Sequence, residues 1–206
     1  MLIEELKSLV KENADVIPYS ESNTSGTEGV KRDVACIVRP ITLGVIQELI
    51  KFAGRVVNTP NQFSLYPISS GKNWGYGSSM PSTVEEKVVL LDLCALNDIT
   101  YFDEENGVIS IQPGVTQSAL FKYLSSKQTS YMVPVTGAGP TTSILSNALE
   151  RGYGITPIAD HFTSVMSIKG FLADGSFYQS SLQCMSDMAN GDNSECYVDK
   201  TFKWKH

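Results

Sequence analysis

The residue types best suited to chemistry lie close together in one loop, residues 65–77 (LYPISSGKNWGYG). The loop carries three glycines and two serines within nine residues, so few side chains cover its backbone. Backbone N–H groups in such a loop can converge and form an anion-binding concavity, and glycine permits the positive φ angles and close ligand approach that this requires. The loop therefore predicts a phosphate or pyrophosphate site, with Lys72 as a candidate additional charge. A surface turn of the same composition is the alternative.

Two more glycine-rich segments follow, at residues 137–142 (GAGPTT) and 150–157 (ERGYGITP). We predict that a short helix begins near Ser143, and a helix N-terminus after glycine-rich backbone also favours an anion. Arg151 could reach a phosphate from the third segment. A structural ion pair, for which Glu150 is a candidate partner, or a bond to the backbone is the favoured role for its guanidinium.

Side chains that could act as a nucleophile or a base form no convincing set. Asp160 and His161 are the only acid–histidine pair in the chain, which would suit a general base. A structural, hydrogen-bonded role is favoured because neither a nucleophile nor a metal partner is visible. Ser69, Ser70 and Thr136 have no paired base, so a serine triad is not supported. We assign no catalytic residue.

The cysteines and histidines do not have the spacing of metal ligands. The four cysteines, at positions 36, 94, 184 and 196, include no C-x-x-C pair, and the two histidines lie far apart. A metal site is therefore not expected. Cys36 and Cys94 stand in apolar runs and are predicted to be buried thiols.

Composition excludes several classes of partner. The chain has 206 residues, of which 42% are hydrophobic and 18% charged, enough for one large domain or two small lobes. The net charge is −6 with no basic patch, so neither nucleic acid nor a membrane surface is an expected partner. No run of eighteen apolar residues predicts a membrane span. Acidic residues near the N-terminus, where a signal peptide would be basic, indicate a cytoplasmic location.

The first part of the chain predicts a βα unit followed by a strand that leads into the first glycine loop. Apolar spacing indicates a helix over residues 2–11 and a strand over 34–40. Thr42 is predicted to cap the next helix, with Gly54 at its C-terminal end. A strand over 63–68 then places the loop at a carboxyl edge, where α/β sheets bind ligands. The loop lacks the G-x-G-x-x-G dinucleotide fingerprint.

The second part predicts two hairpins and two helices. After a buried strand at 88–93, Asn106-Gly107 and Asp174-Gly175 each separate apolar runs, which is a strong hairpin signal. Thr116 is predicted to cap a helix between these hairpins. After residue 180 the composition becomes polar and irregular.

These segments, in this order, resemble the FAD-binding domain of the p-cresol methylhydroxylase and vanillyl-alcohol oxidase flavoprotein family, above all the branch that acts on 4-alkylphenols. The likeness covers about residues 34–180. The fold class that it implies is α+β, with two αβ subdomains and the cofactor cleft between them. The matching segments are Val38–Pro40, Tyr66–Gly77, Val89–Leu93, Gln112–Thr116, Thr136–Pro140, Asn147–Gly154, Thr156–Pro157, Asp160–His161 and Leu172–Gly175.

The resemblance implies FAD as the cofactor. The first glycine loop would wrap the pyrophosphate, and the later segments would line the ribityl chain, pyrophosphate and part of the isoalloxazine; the strand at 167–172 would lie near the adenine. The implied cofactor-binding residues in the first loop are Pro67, Ile68, Ser69, Ser70, Gly71, Lys72, Asn73, Trp74, Gly75 and Tyr76. Those in the later segments are Thr136, Gly137, Gly139, Pro140, Ser143, Asn147, Arg151, Gly152, Gly154, Ile155 and Pro157.

The expected domain organisation is an N-terminal helix and loop (1–33), an FAD-binding domain (34–182) and an irregular tail (183–206). The FAD-binding domain would divide into subdomains at about 34–62 and 63–182. The tail would be the start of a substrate domain that family enzymes carry and this chain lacks. A rough alignment places Ala138 where the oxidase branch has an active-site aspartate, so that role would be absent.

The expected function is that of an FAD-binding oxidoreductase domain related to flavin-dependent oxidation of 4-alkylphenols, inactive alone because the substrate domain is missing. The alternative is a non-catalytic flavin-binding remnant or a subunit of a split flavoenzyme. Its partner would then be a separate substrate-domain chain or a second copy. A relative of the peptidoglycan-precursor reductases, which would need NADPH chemistry, is a weaker alternative.

Overall fold

A computed structural model describes residues 2–19, 34–72, 87–154 and 160–180, together with the backbone of 200–203. The chain forms two compact units. The first comprises Met1–Leu96 and the turn Leu172–Ser176, and the second comprises Asn97–Phe171 and Phe177–His206. None of the helices in the described stretches is both long and apolar enough to span a bilayer.

The first unit is a four-stranded sheet with two helices. Its elements are α1 (Leu2–Val10), β1 (Ala14–Pro18), β2 (Val34–Pro40), α2 (Gly44–Arg55), β3 (Ser64–Ile68) and β4 (Val88–Asp92). The strand order is β1-β2-β4-β3. Strands β2, β4 and β3 run parallel, and β1 is antiparallel to β2. Every residue of β4 is buried, which is the pattern expected of a central parallel strand.

The second unit is a five-stranded sheet with two short helices. Its elements are β5 (Ile99–Asp103), β6 (Val108–Ile111), α3 (Gln117–Ser126), α4 (Ile144–Leu149), β7 (Val165–Phe171), β8 (Phe177–Gln179) and β9 (Lys200–Lys203). The strand order is β5-β6-β9-β7-β8, and all the neighbouring pairs are antiparallel. Both helices contribute to one apolar cluster with β6, formed by Ile109, Ile111, Val115, Leu120, Leu124, Ile144 and Ala148.

Most of the elements predicted from sequence are confirmed. The helix predicted over 2–11 forms as α1, and the Asn106-Gly107 turn joins β5 to β6, with Gly107 at a φ of 62°. Thr116 caps α3 by accepting a hydrogen bond from the Ala119 amide at 3.2 Å. Ser143 caps α4 in the same way, with the Ser146 amide as donor at 3.2 Å. The mixed α+β class predicted for the chain is confirmed.

Some local predictions were wrong. Thr42 does not cap α2: the helix begins after Leu43, which has helical dihedral angles and offers no side-chain cap. Gly54 is the penultimate residue of α2, which ends at Arg55, so the glycine lies in the last turn and not beyond the end of the helix. Strand β1 was not predicted, since five residues pair only because β2 offers its edge.

The tail and the subdomain boundary also differ from expectation. Residues Lys200–Lys203, predicted to be irregular, form β9 between β6 and β7; the partners that order this strand are distant in sequence. The two units divide after Leu96, whereas a boundary at 62–63 was expected. The reason is that β3 pairs with β4 in the first sheet and so cannot belong to the second unit. The rest of the tail, 183–199 and 204–206, lies outside the described residues.

Candidate functional site

The first glycine loop begins at the carboxyl edge of the parallel strands, as predicted. Pro67 and Ile68 end β3, and Ile68 is paired with Asp92 at the end of β4. Gly71 has a φ of 64°, a conformation that glycine adopts without steric cost. Ser69 is buried and Lys72 is exposed. The remaining loop residues predicted to bind the cofactor lie outside the described part of the chain: Asn73, Trp74, Gly75 and Tyr76.

An ion pair that was not predicted lies at the same sheet edge. Nε and Nη2 of Arg39 donate to Oδ2 of Asp92 at 3.0 and 2.8 Å. The other oxygen of Asp92 accepts the backbone N–H of Cys94 at 3.0 Å. The hydrogen bond to Asp92 raises the pKa of Arg39 above its ordinary value. Polar residues that end neighbouring parallel strands meet at one edge, so the sequence did contain a signal for this pair.

The two thiols of the first unit differ in exposure. Cys36 is buried, as predicted, whereas Cys94 is only partly buried. Burial raises the pKa of each thiol to about 11. Both thiols are therefore protonated at neutral pH and poorly nucleophilic. Cys184 and Cys196 lie outside the described residues.

The second glycine-rich segment is held by a buried glutamine. Gln117, which is 4% exposed, accepts the Thr136 N–H through Oε1 at 3.1 Å. Its Nε2 donates to the Gly139 carbonyl at 3.0 Å and to the Thr136 hydroxyl at 3.3 Å. That hydroxyl also accepts the Ala138 N–H at 3.1 Å. The amide thus ties both ends of a four-residue turn, and no motif in the sequence pointed to Gln117.

The turn that Gln117 holds presents a glycine to open space. Gly139 has a φ of 95°, and apart from its own chain neighbours no atom of the described residues lies within 4 Å of the position that a Cβ would occupy. Thr142, which follows, is 3% exposed, and its hydroxyl has no hydrogen-bond partner among the described residues. A positive-φ glycine beside open space is suited to close backbone approach of a ligand.

The hydroxyl of Ser143 is engaged within the protein. Ser143 is fully buried, and its hydroxyl donates to the Pro113 carbonyl at 2.6 Å while accepting the Ser146 N–H. Since a hydroxyl has one hydrogen to donate, the side chain serves as the cap of α4. Any contribution of Ser143 to a cofactor site therefore falls to its backbone.

The third glycine-rich segment is brought to the second one. A β-bridge joins Thr136 to Gly154, and a further bridge joins Tyr153 to Asp160. Arg151 has a φ of 53° and follows the C-cap of α4, a position that usually favours glycine. The predicted residues Ile155 and Pro157 lie outside the described residues.

The guanidinium of Arg151 has defined neighbours. Its Nη1 lies 3.4 Å from Oδ2 of Asp160, and its Cζ lies 4.6 Å from the ring centroid of Phe162. The ion pair favoured from the sequence does form, with Asp160 in the place of the candidate Glu150. The side chain remains 65% exposed, so it is held in position while still open to solvent.

Asp160 and His161 do not share one role. The second carboxylate oxygen of Asp160 accepts the Phe162 N–H at 3.0 Å, which caps the short 3₁₀ helix His161–Ser164. His161 is buried and directs Nδ1 to Oδ1 of Asn147 at 2.5 Å. The structural role favoured for these residues agrees with these contacts. In the stretches that the structure describes, no cluster of three or more potential metal ligands is found.

The sequence is similar to a known protein family and to curated proteins. The profile of the FAD binding domain family matches residues 34–181. Over 142 residues, the chain is 33% identical to 1'-carboxy-chondrochloren decarboxylase of Chondromyces crocatus, covering 69% of this chain and 25% of that protein. Over 175 residues it is 25% identical to the 4-cresol dehydrogenase (hydroxylating) flavoprotein subunit of Pseudomonas putida, covering 85% of this chain and 32% of that subunit.

Among solved structures, p-cresol methylhydroxylase with substrate bound superimposes with a TM-score of 0.77 at 22% identity. The superposition covers 98% of this chain and 42% of that one. This likeness shows a shared fold. The chain spans between a quarter and a third of the length of the two curated relatives.

Proposed function

The chain belongs to the FAD-binding domain family, and we propose that it supplies the cofactor-holding part of a flavoprotein that oxidises 4-alkylphenol-like substrates. FAD as the cofactor, and the kinship with 4-alkylphenol-oxidising flavoproteins, are confirmed. The individual cofactor-binding residues remain a proposal. So do the substrate and the activity of the whole protein, because this chain covers only part of its relatives.

The observation that carries the proposal is the turn from Thr136 to Gly139. Gln117 ties it on one side, and Gly139 meets open space on another. A turn already fixed in position loses little conformational entropy when a ligand binds. Its backbone is therefore suited to hold an anionic cofactor, and the Thr142 hydroxyl, which has no partner in the described stretches, offers a further donor close by.

Each described segment has an assigned part in this proposal. The Gly71 loop contributes backbone N–H groups to the pyrophosphate. The segments containing Gly139 and Gly152 line the remainder of the cofactor, and Arg151 supplies a positive charge. Bound FAD supplies two-electron redox chemistry. The residues of this chain bind and orient it, and we assign no proton transfer to any of them.

The substrate-side residues come, on this proposal, from outside these 206 residues. The relatives' greater length supports this view. We expect the isolated chain to bind FAD but to oxidise 4-alkylphenols little or not at all. Because the relative with the higher identity is named as a decarboxylase, assays of the complete protein should record CO₂ release as well as phenol oxidation.

The test is the absorbance spectrum of the purified chain, together with its melting temperature at increasing FAD concentration. Flavin absorbance, or a rise in melting temperature through binding to the folded state, is the expected result. Acid precipitation then distinguishes covalent flavin, which stays in the pellet, from free flavin in the supernatant. A colourless protein whose melting temperature does not change at saturating FAD would refute the proposal.

A partner chain is the second candidate arrangement. The Pseudomonas putida relative is named as a flavoprotein subunit, which favours assembly with a second polypeptide over a homo-oligomer. Light scattering after co-expression with neighbouring open reading frames would detect a stable complex, while a purely monomeric or homodimeric chain would contradict it. The cytoplasmic location stays a prediction, which cell fractionation would test.

A further inference from the structure

A partly buried hydrogen bond joins α4 to the 3₁₀ helix that follows the third glycine-rich segment. His161 is 2% exposed, and its Nδ1 donates to Oδ1 of Asn147, fourteen residues earlier, at 2.5 Å. The two residues lie on either side of the chain segment 151–154. The pair therefore connects the entry and the exit of that segment.

The same two side chains lie directly against the segment's glycines. A Cβ built on Gly152 would stand 1.9 Å from Nδ2 of Asn147. A Cβ built on Gly154 would stand 2.4 Å from Nε2 of His161 and 2.4 Å from the Val135 carbonyl oxygen. All three distances are too short for any side chain. Gly152 and Gly154 are therefore needed where the protein's own side chains approach the backbone, whether or not a cofactor also lies close.

The backbone of the segment is fixed from this side as well. The Gly152 N–H donates to the Asn147 carbonyl at 2.7 Å, and the bridge to Thr136 anchors Gly154 beside the turn held by Gln117. Four features thus act on four residues: one main-chain bond, one bridge and two close side chains. Such a set restricts the positions that residues 151–154 can occupy.

We propose that the Asn147–His161 hydrogen bond positions residues 151–154 for FAD, with His161 acting through the backbone that it supports. The inference rests on the proposed function, since it assigns this segment to the cofactor. Burial of the imidazole argues against direct exchange of protons with a substrate. His161 is accordingly a positioning residue and not a catalytic one.

The expected effect follows from the fraction of molecules whose segment is competent to bind. If loss of the hydrogen bond reduces that fraction to a tenth, the apparent Kd for FAD rises about ten-fold. His161→Ala should show this rise. His161→Asn places an amide N–H where Nδ1 stood, restores the donor to Asn147 Oδ1 and should recover most of the affinity.

The experiment is titration of the apo-protein with FAD, followed by quenching of flavin fluorescence, below the melting temperature of every variant. Leu124→Ala is the matched control for general destabilisation, because Leu124 is buried in the apolar cluster of the same unit. It should melt at a lower temperature and retain the wild-type Kd. A rise in the Kd for FAD in His161→Ala but not in Leu124→Ala therefore separates a loss of positioning from a loss of stability.

A second pair of variants covers the case in which His161→Ala fails to fold. Gly154→Ala forces apart the contact with His161 and should weaken FAD binding, whereas Gly54→Ala in α2, where a Cβ meets no atom within 4 Å, should leave it unchanged. Wild-type affinity in folded His161→Ala or Gly154→Ala would overturn the inference. So would equal losses in His161→Ala and His161→Asn. Failure of the wild-type chain to bind FAD would instead refute the proposed function.

Discussion

The side chain of Gln117 should contribute more to the free energy of unfolding than its position at the start of a helix suggests. Replacing it with alanine removes three hydrogen bonds, to the Thr136 N–H, the Thr136 hydroxyl and the Gly139 carbonyl. The backbone contact from the Gln117 N–H to the Thr142 carbonyl is kept, and alanine is a good helix former. The substitution therefore isolates the amide group.

The magnitude follows from those three bonds. A typical intramolecular hydrogen bond contributes ~0.5–1.5 kcal/mol net, and leaving a buried partner unsatisfied adds to the loss. Gln117→Ala should thus lower the free energy of unfolding by about 3 kcal/mol. For a chain of this size each kcal/mol corresponds to roughly 2–4 °C, so the melting temperature should fall by about 6–12 °C.

Urea unfolding followed by circular dichroism measures the loss of stability, and FAD titration measures the consequence for the turn. Gln117→Glu keeps an acceptor for the Thr136 N–H but places a carboxylate oxygen opposite the Gly139 carbonyl, so it should be no better than alanine. Lys122→Ala, at an exposed position of the same helix, is the control and should change stability little. A loss below ~1 kcal/mol with unchanged FAD affinity would refute the reasoning.

Three further predictions concern charged groups and thiols. Arg151→Gly relieves an unfavourable positive φ, which stabilises the protein by roughly 1 kcal/mol, but it also removes an exposed ion pair and a ring contact whose combined contribution is similar. Urea unfolding should therefore show little change in stability, while the Kd for FAD should rise. An unchanged Kd would contradict the positive charge assigned to Arg151. Arg39→Met leaves the buried Asp92 carboxylate without its cation and should lower the free energy of unfolding by about 3 kcal/mol. Asp92→Asn should cost less, because the Arg39 side chain that it leaves without an anion retains access to water. Equal losses in urea unfolding would contradict this asymmetry. Burial raises the pKa of Cys36 from 9.0 to about 11. Between these pH values the thiol keeps its proton in the folded protein but releases it in the unfolded chain. The contribution of this thiol to the free energy of unfolding should therefore be lost as the pH rises through that window. Iodoacetamide labelling of the native protein at pH 8, mapped by mass spectrometry, should spare Cys36, and rapid labelling would contradict its burial.

Local sequence predicted what local forces decide. The Asn106-Gly107 turn, the cap at Thr116 and the start of a helix near Ser143 depend on contacts within a few residues, and each was predicted correctly. Thr42 shows the limit of such reasoning. A good capping residue is used only if the helix begins directly after it, and α2 begins one residue later, after Leu43.

The candidate site also has a part that the sequence predicts and a part that it does not. The glycine content at 69–77, 137–142 and 150–157 identified an FAD-binding domain because these segments occur in a recognisable order. The side chains that hold these segments in place could not be predicted from the sequence. Gln117 precedes its partner Thr136 by nineteen residues, and no local pattern distinguishes it from any polar residue in the first turn of a helix.

Sequence by itself determined the family, the cofactor and most of the elements, since these depend on residue types in order along the chain. Tertiary structure alone decided which side chains support the glycine segments and why some glycines are required. Gly152 and Gly154 looked like residues that make room for a ligand, and the fold places Asn147 and His161 against them. The physical reason is that a steric requirement belongs to whatever atom lies nearest in space, and chain order does not specify that atom.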